Sequence, residues 1–338
     1  MSKKIISVSP LTFPWQTKDP FLFCAHHLDH YPVGNGSMGV QDKDKQGRQI
    51  GQDFGGKDGW SMYHGENIPG FPYHPHRGFE TITINKLGAV DHSDSLGAAG
   101  RFMAGDVQWM TAGSGVQHSE MFPLLHEDAP NPLEIFQIWL NLPKASKMVD
   151  PHFKMLWKED IPIKEITDSS GRKTYIDVIA GNLEGTQAPD PTPDSWANHT
   201  KNAVAVYTVR MEAEATWELP ATQASANRMV YFYHGNELTI DSTQVDIYHA
   251  VELKSDCSIQ FKNGSEAGYL LILEGTPIGE PVVQHGPFVM NTREEIQQTF
   301  LEYQKTQFGG WPWNEKEKVH GKDAGRFAQH ADGKLEKK

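Results

Sequence analysis

The stretch GFPYHPHRGFETITI, Gly70 to Ile84, decides how the chain is read. It opens on two histidines one residue apart, His74 and His76. It then runs into Thr81-Ile82-Thr83-Ile84, which alternates with the period of a β-strand. Residues i and i+2 of a strand share a face, so His74 and His76 point the same way. A second pair with the same spacing, His118-Ser119-Glu120, begins 42 residues after His76. Three imidazoles and one carboxylate then converge on a point inside a β-barrel. That donor set suits divalent iron, copper, nickel, manganese or zinc, and four protein ligands leave positions open on an octahedral ion. The rival reading is a set of unrelated polar residues in loops, which two pairs of matching spacing make the weaker one.

Parity carried further along the first stretch puts Gly78 and Glu80 on the histidine face, where Glu80 could be a fifth ligand but ranks first as a supporting residue. Pro75 cannot donate to a strand ladder, and a bulge there would break the parity and move Glu80 away from the metal. The second block, GDVQWMTAGSGVQHSEM from Gly105 to Met121, has a turn, an apolar strand and then Gly113 and Gly115, which permit a tight bend before His118 and Glu120.

Working outward, 338 residues are enough for two domains. Short β-like runs punctuated by glycine, proline and asparagine extend from about Gly70 to Glu274 and predict an all-β sandwich or barrel. They include Thr81 to Asn85, Val107 to Met110, Ile135 to Leu140, Ala203 to Arg210, Met229 to Tyr233 and Tyr269 to Leu273. Gln41 to Pro69 is polar, glycine-rich and aperiodic, and reads as a long loop or insertion. Prolines and charges between Lys144 and Asp168 read as a linker. Gly181 to Asn202, with Pro189, Pro191 and Pro193, reads as an exposed loop. After Gly286-Pro287 the period becomes helical: Thr292 caps a helix with Glu294 and Glu295 in its first turn and Ile296, Phe300 and Tyr303 on one face. The charged stretch from Asn314 to Lys338 predicts a frayed tail.

A formal charge of -12 gives no basis for direct nucleic-acid binding. Cys24 and Cys257 are the only cysteines and define neither a disulfide framework nor a thiolate cluster. The apolar patch before Pro10 is too short for a signal-peptide core, and no stretch reaches the roughly 20 apolar residues of a membrane helix. These features predict a cytoplasmic protein without a membrane partner. His26, His27 and His30 cluster in sequence but fit a surface loop or helix as readily as a ligand set. Between Asp160 and Gln284 neither HxH nor HxE occurs, and His234 and His249 read as isolated surface or core histidines.

GFPYHPHRGFETIT, GDVQWMTAGSGVQHSEM, FQIWLNLP and the later QHGPFVMNTREEI together closely resemble the pirins, members of the cupin superfamily, over Pro20 to about Phe300. The resemblance implies an all-β bicupin fold of two β-barrel (jelly-roll) domains packed face to face, with a C-terminal helix. In this frame residues 1–145 form a metal-binding cupin with an insertion at about 41–69, and 146–168 a linker. Residues 169–290 form a second cupin without metal ligands, and 291–338 the helix and charged tail. By position the ligands fall on His74, His76, His118 and Glu120, holding one divalent metal per chain. Fe(II) stands first, with Zn, Mn, Ni, Cu or Co as alternatives. The general cupin pattern uses a glutamate at the position of Glu80, whereas pirin-type sequences place the carboxylate at Glu120. The resemblance further implies a quercetin 2,3-dioxygenase reaction, in which dioxygen opens a planar polyphenol and carbon monoxide leaves, with Glu120 as the catalytic base. Its alternative is a redox-sensitive regulator that binds a transcription factor or a metabolic enzyme.

Overall fold

A computed structural model of the chain describes residues 4–338. The protein is all-β, with one α-helix, Arg293–Thr306, among the described residues. Its strands form two compact units of two main sheets each. Alternating apolar positions located most strands correctly. Thr81 to Asn85 lies within Phe79–Leu87, Ile135 to Leu140 within Asn131–Asn141, Met229 to Tyr233 within Asn227–His234, and Tyr269 to Leu273 within Gly268–Gly275.

Where the units divide differs from the sequence expectation. Ala25–Trp157 and Glu280–Lys338 make one unit, and Lys158–Gly279 makes the other with the segment that ends at Cys24. Ile5–Pro10 pairs with His249–Leu253, far along the chain, and the tail strand Phe327–Gln329 pairs with Ala99–Met103. The segment read as a linker, 146–168, instead holds His152–Leu156, paired with Val107–Thr111, and Ile163–Thr167, paired with Lys173–Ala180. Periodicity reports which residues face a core but not which distant strand completes the ladder. That is why the boundaries escaped it.

The tail is held by polar groups rather than apolar ones. Buried Arg101 makes a two-pronged pair with Asp91 at 2.6 and 2.7 Å, and its remaining N–H groups donate to the carbonyls of His320, Gly321 and Lys322 at 3.0 Å each. A charged sequence without large apolar residues still supplies backbone acceptors, and a buried guanidinium needs them. The Gln41 to Pro69 insertion is likewise packed. Arg48 bonds Asp53 at 2.9 Å and lies 3.2 Å over the ring of Trp60, while the Tyr63 hydroxyl donates to Asp29 at 2.7 Å.

The C-terminal helix begins as its sequence predicts. The Thr292 hydroxyl accepts from the Glu295 N–H at 3.1 Å, and the Glu295 carboxylate accepts from the Thr292 N–H at 2.9 Å. Ile296, Phe300 and Tyr303 pack on Phe288 and Met290.

Arg101→Ala is expected to lower unfolding stability by about 3–5 kcal/mol, because it leaves Asp91 buried and uncompensated. It should also make the tail beyond Gly321 sensitive to protease. Urea denaturation and limited proteolysis measure both, and an unchanged midpoint would show that the clasp is not structural.

Candidate metal centre

Three neighbouring strands, Gly70–His76, Val116–Met121 and Ala89–Asp94, carry the site. Antiparallel register sets His118 between His74 on one side and Asp94 on the other, and sets His92 opposite Glu120. Paired residues of adjacent strands share a face, so these side chains all turn to one side of the sheet. One nitrogen from each of His74, His76 and His118 lies within 4.8 Å of the other two. His76 and His118 are buried, and His74 is partly exposed.

Hydrogen bonds fix which nitrogens face inward. His74 Nδ1 is 2.9 Å from the Pro72 carbonyl and His76 Nδ1 is 3.4 Å from the Pro287 carbonyl. A carbonyl only accepts, so each Nδ1 carries the proton and each Nε2 presents a lone pair. The two Nε2 atoms are 3.1 Å apart, lone pair toward lone pair. Two ligands about 2.0–2.1 Å from one ion and roughly at right angles to each other would stand about 3 Å apart, so the geometry fits a shared cation. Both ring nitrogens of buried His118 lack a hydrogen-bond partner among the described residues, and the same cation would account for one of them. Burial lowers the His74 pKa to about 4 and holds His76 and His118 well below the usual imidazole range, so all three stay neutral and able to ligate.

Glu120 stands beside this trio. Its Oε2 is 3.9 Å from His118 Nε2 and accepts from Gln137 Nε2 at 3.0 Å, while its Oε1 accepts from the Thr83 hydroxyl at 2.8 Å. Burial raises its pKa, against the opposing effect of those hydrogen bonds.

Glu80 is not a ligand candidate in the structure. It accepts from Trp109 Nε1 at 3.2 Å and from Thr111 at 2.8 Å. Its side chain therefore projects from the opposite face of its strand to Thr83. Parity failed at Gly78, which lies between two strands with φ +87° and has the Val289 oxygen 2.0 Å from where a Cβ would stand. Only glycine permits that turn.

Sequence reasoning missed His92 and Asp94, 3.2 Å apart and on the site's face. The signal was available, because His92-Ser93-Asp94 repeats the spacing of both ligand pairs on a third strand. It also missed the aromatic walls: Phe79 and Trp139 stand 5.0 and 5.4 Å from the His76 ring, and Phe153 stacks on His92 at 4.8 Å. The other histidines do not converge. His26 bonds Glu134 at 2.9 Å, His27 bonds the Tyr63 hydroxyl at 2.8 Å, His30 is exposed, and His234 stands edge-on to Tyr269.

Comparison with known proteins matches the family model for pirin to residues 14–140 and that for the pirin C-terminal cupin domain to residues 206–309. Pirin-1 of Arabidopsis thaliana is 37% identical over 245 residues, covering 71% of this chain and 78% of that protein. Human pirin is 32% identical over 252 residues, covering 73% and 80%. The crystal structure of a quercetin 2,3-dioxygenase from Acinetobacter baumannii superposes with a TM-score of 0.69 at 25% identity, covering 91% of this chain and 98% of that one.

His118→Ala is expected to lose most bound metal while keeping the far-UV spectrum and cooperative unfolding, because barrels of this size bury their cores without an ion. Metal analysis after purification without chelators tests this, and full occupancy in the variant would remove His118 from the site. Metal occupancy should also stay level from pH 8 down to about 5. The folded imidazoles take up no proton on crossing the ordinary histidine pKa of about 6.5, so protons do not compete there. A loss of metal centred near pH 6.5 would contradict the buried, neutral state.

Proposed function

The chain belongs to the pirin family, and on that premise we propose that it is a metal-dependent dioxygenase that opens a flavonol such as quercetin. The observation that carries this reading is the pair of inward lone pairs 3.1 Å apart, with the Glu120 carboxylate 3.9 Å from the third imidazole. His74, His76, His118 and Glu120 would hold one divalent metal per chain. Imidazole with carboxylate and no thiolate is the donor chemistry of non-haem Fe(II), which we place ahead of Zn, Mn, Ni, Cu and Co. Bound there, the metal would acidify a substrate hydroxyl and bring dioxygen beside it.

The protein's own residues supply the rest. Glu120 is buried and its proton affinity is raised, so it is suited to take the proton from a flavonol hydroxyl. Thr83 and Gln137 each bond one carboxylate oxygen and so fix the plane of the group. Phe79, Trp139 and Phe153 present flat apolar faces around the histidines, which fits a planar polyphenol and keeps water from the reacting atoms.

Glu120→Gln should retain part of the metal, since an amide oxygen is a poorer ligand, and should lower turnover by about 10²-fold or more through loss of the base. Oxygen uptake and carbon monoxide release, measured over a small flavonol panel on protein of known metal content, test the proposal. Metal-loaded protein that consumes no oxygen with any flavonol would sink the dioxygenase reading and favour the regulatory one. Undiminished turnover in Glu120→Gln would remove Glu120 from the chemistry.

A further inference from the structure

The core of the Lys158–Gly279 unit is mostly apolar, with Thr174 and Asn263 among its buried polar residues and a charged pair at one end. Val230, Val209, Leu270 and Ile272 fill its middle, but the next core-facing pair along two of the same strands is Arg228 opposite Glu274. Both are buried. Arg228 Nε donates to Glu274 Oε2 at 2.5 Å and Nη2 donates to the Pro220 carbonyl at 2.9 Å, while Nη1 has no partner among the described residues. An unmet buried donor is destabilising, so a clasp built only for stability would be an expensive one.

A cavity of about 250 Å³ opens on Glu274. Its cover is the segment read from sequence as an exposed proline-rich loop. In the structure that segment folds into the hairpin of Asn182–Leu183 with Thr186–Gln187, followed by the turns Trp196–Asn198 and Thr200–Asn202. The cover is fastened in place. Trp196 Nε1 donates to the Thr276 carbonyl at 3.1 Å, the Asn202 side chain donates to the Trp196 carbonyl at 2.8 Å, and the Tyr207 hydroxyl donates to the Asn182 carbonyl at 3.2 Å. It lies between the two ranges that the family models match, 14–140 and 206–309.

We infer that this cavity is a second ligand site, separate from the metal centre, that takes a small neutral polyhydroxylated molecule. Three features set the class. Glu274 is already balanced by Arg228, and the other carboxylate or imidazole groups of the lining are Asp190 and His199, so no cluster of one sign is there to select an ion. The walls carry side-chain amides from Asn182, Gln187, Asn198 and Gln223 and hydroxyls from Thr200 and Thr222. Each of these groups can both give and take hydrogen bonds, as a polyol does. Ala205 and Tyr207 add a small apolar wall against which a ring can rest, and the volume lies just below the usual range of small-molecule pockets, roughly 300–1,000 Å³, which limits the ligand to about the size of a monosaccharide.

The test is titration calorimetry on the full chain with myo-inositol and glucose as probes, and with inorganic phosphate and ethanolammonium as charged controls. Heat of binding is the readout because polyols stabilise most proteins by exclusion from their surface. Saturable binding of at least one polyol with a dissociation constant of about 1 mM or tighter is expected. Ala197→Trp, at the partly exposed rim, should weaken it at least tenfold while leaving metal content unchanged. Glu274→Gln should weaken it similarly if the variant folds, and the rim variant decides the matter if it does not. No saturable polyol binding, an affinity unmoved by Ala197→Trp, or tighter binding of either charged control would overturn the inference.

Discussion

Neutral imidazoles whose lone pairs face one another in a water-poor barrel repel, and much of the first unit serves to hold them in that position. His74 is oriented by a carbonyl two residues away, but His76 is oriented by the carbonyl of Pro287, which arrives from a segment 211 positions later in the chain. That segment is pinned in turn. Arg77 bridges to Phe288, and buried Lys147 donates to the carbonyls of Gly78 and Val289 and to the Asn141 side chain. Burial lowers the Lys147 pKa to about 8, the sign of a cation held by dipoles rather than by water. The helix Arg293–Thr306 closes the arrangement, with Glu302 at 2.9 Å from Arg77. A metal-ligand geometry that looks local to HxH therefore depends on contacts no local motif can specify.

This explains what could be read from the sequence. His74, His76 and His118 were legible because a period of two survives in any strand and because both pairs lie within single strands. The place of Glu120 beside His118 was legible for the same reason. Glu80, whose ligation the sequence left open, is a supporting residue, because the chain turns at Gly78 with a positive φ that alternation cannot report. The linker and tail were misread for a different reason. Charge and proline content measure how poorly a segment fills an apolar core, but His152–Leu156 is bound by its ladder, and the stretch from His320 to Lys322 is bound through carbonyls that donate nothing to hydropathy.

The same logic links the insertion to the site. Trp60, Met62 and Tyr63 are buried although their surroundings are polar, because Arg48 and Asp53 satisfy each other and the backbone around them. Tyr63 stacks on Phe71 at 5.0 Å, and Phe71 meets the His74 ring edge-on at 6.4 Å. A segment that reads in sequence as a long loop thus supplies the outer layer of the wall beside His74, the most exposed of the three histidines.

The two barrels show how one architecture can be given different interiors. In the first, the inward face carries Thr83, Gln108, His92, Asp94 and Glu120, each buried, beside a half-buried Gln137, and none of them is core-forming by itself. Such a lining is costly to bury, and it is sustained where the polar groups satisfy one another or meet a bound ion and substrate. In the second, the corresponding face is filled mainly by valine, isoleucine, leucine and aromatic side chains, and its buried charges are Arg228 and Glu274 at one end. A filled interior leaves no room for chemistry at its centre, so any ligand of that unit must be met at the mouth of the barrel. That is where the segment from Gly181 to Asn202 lies.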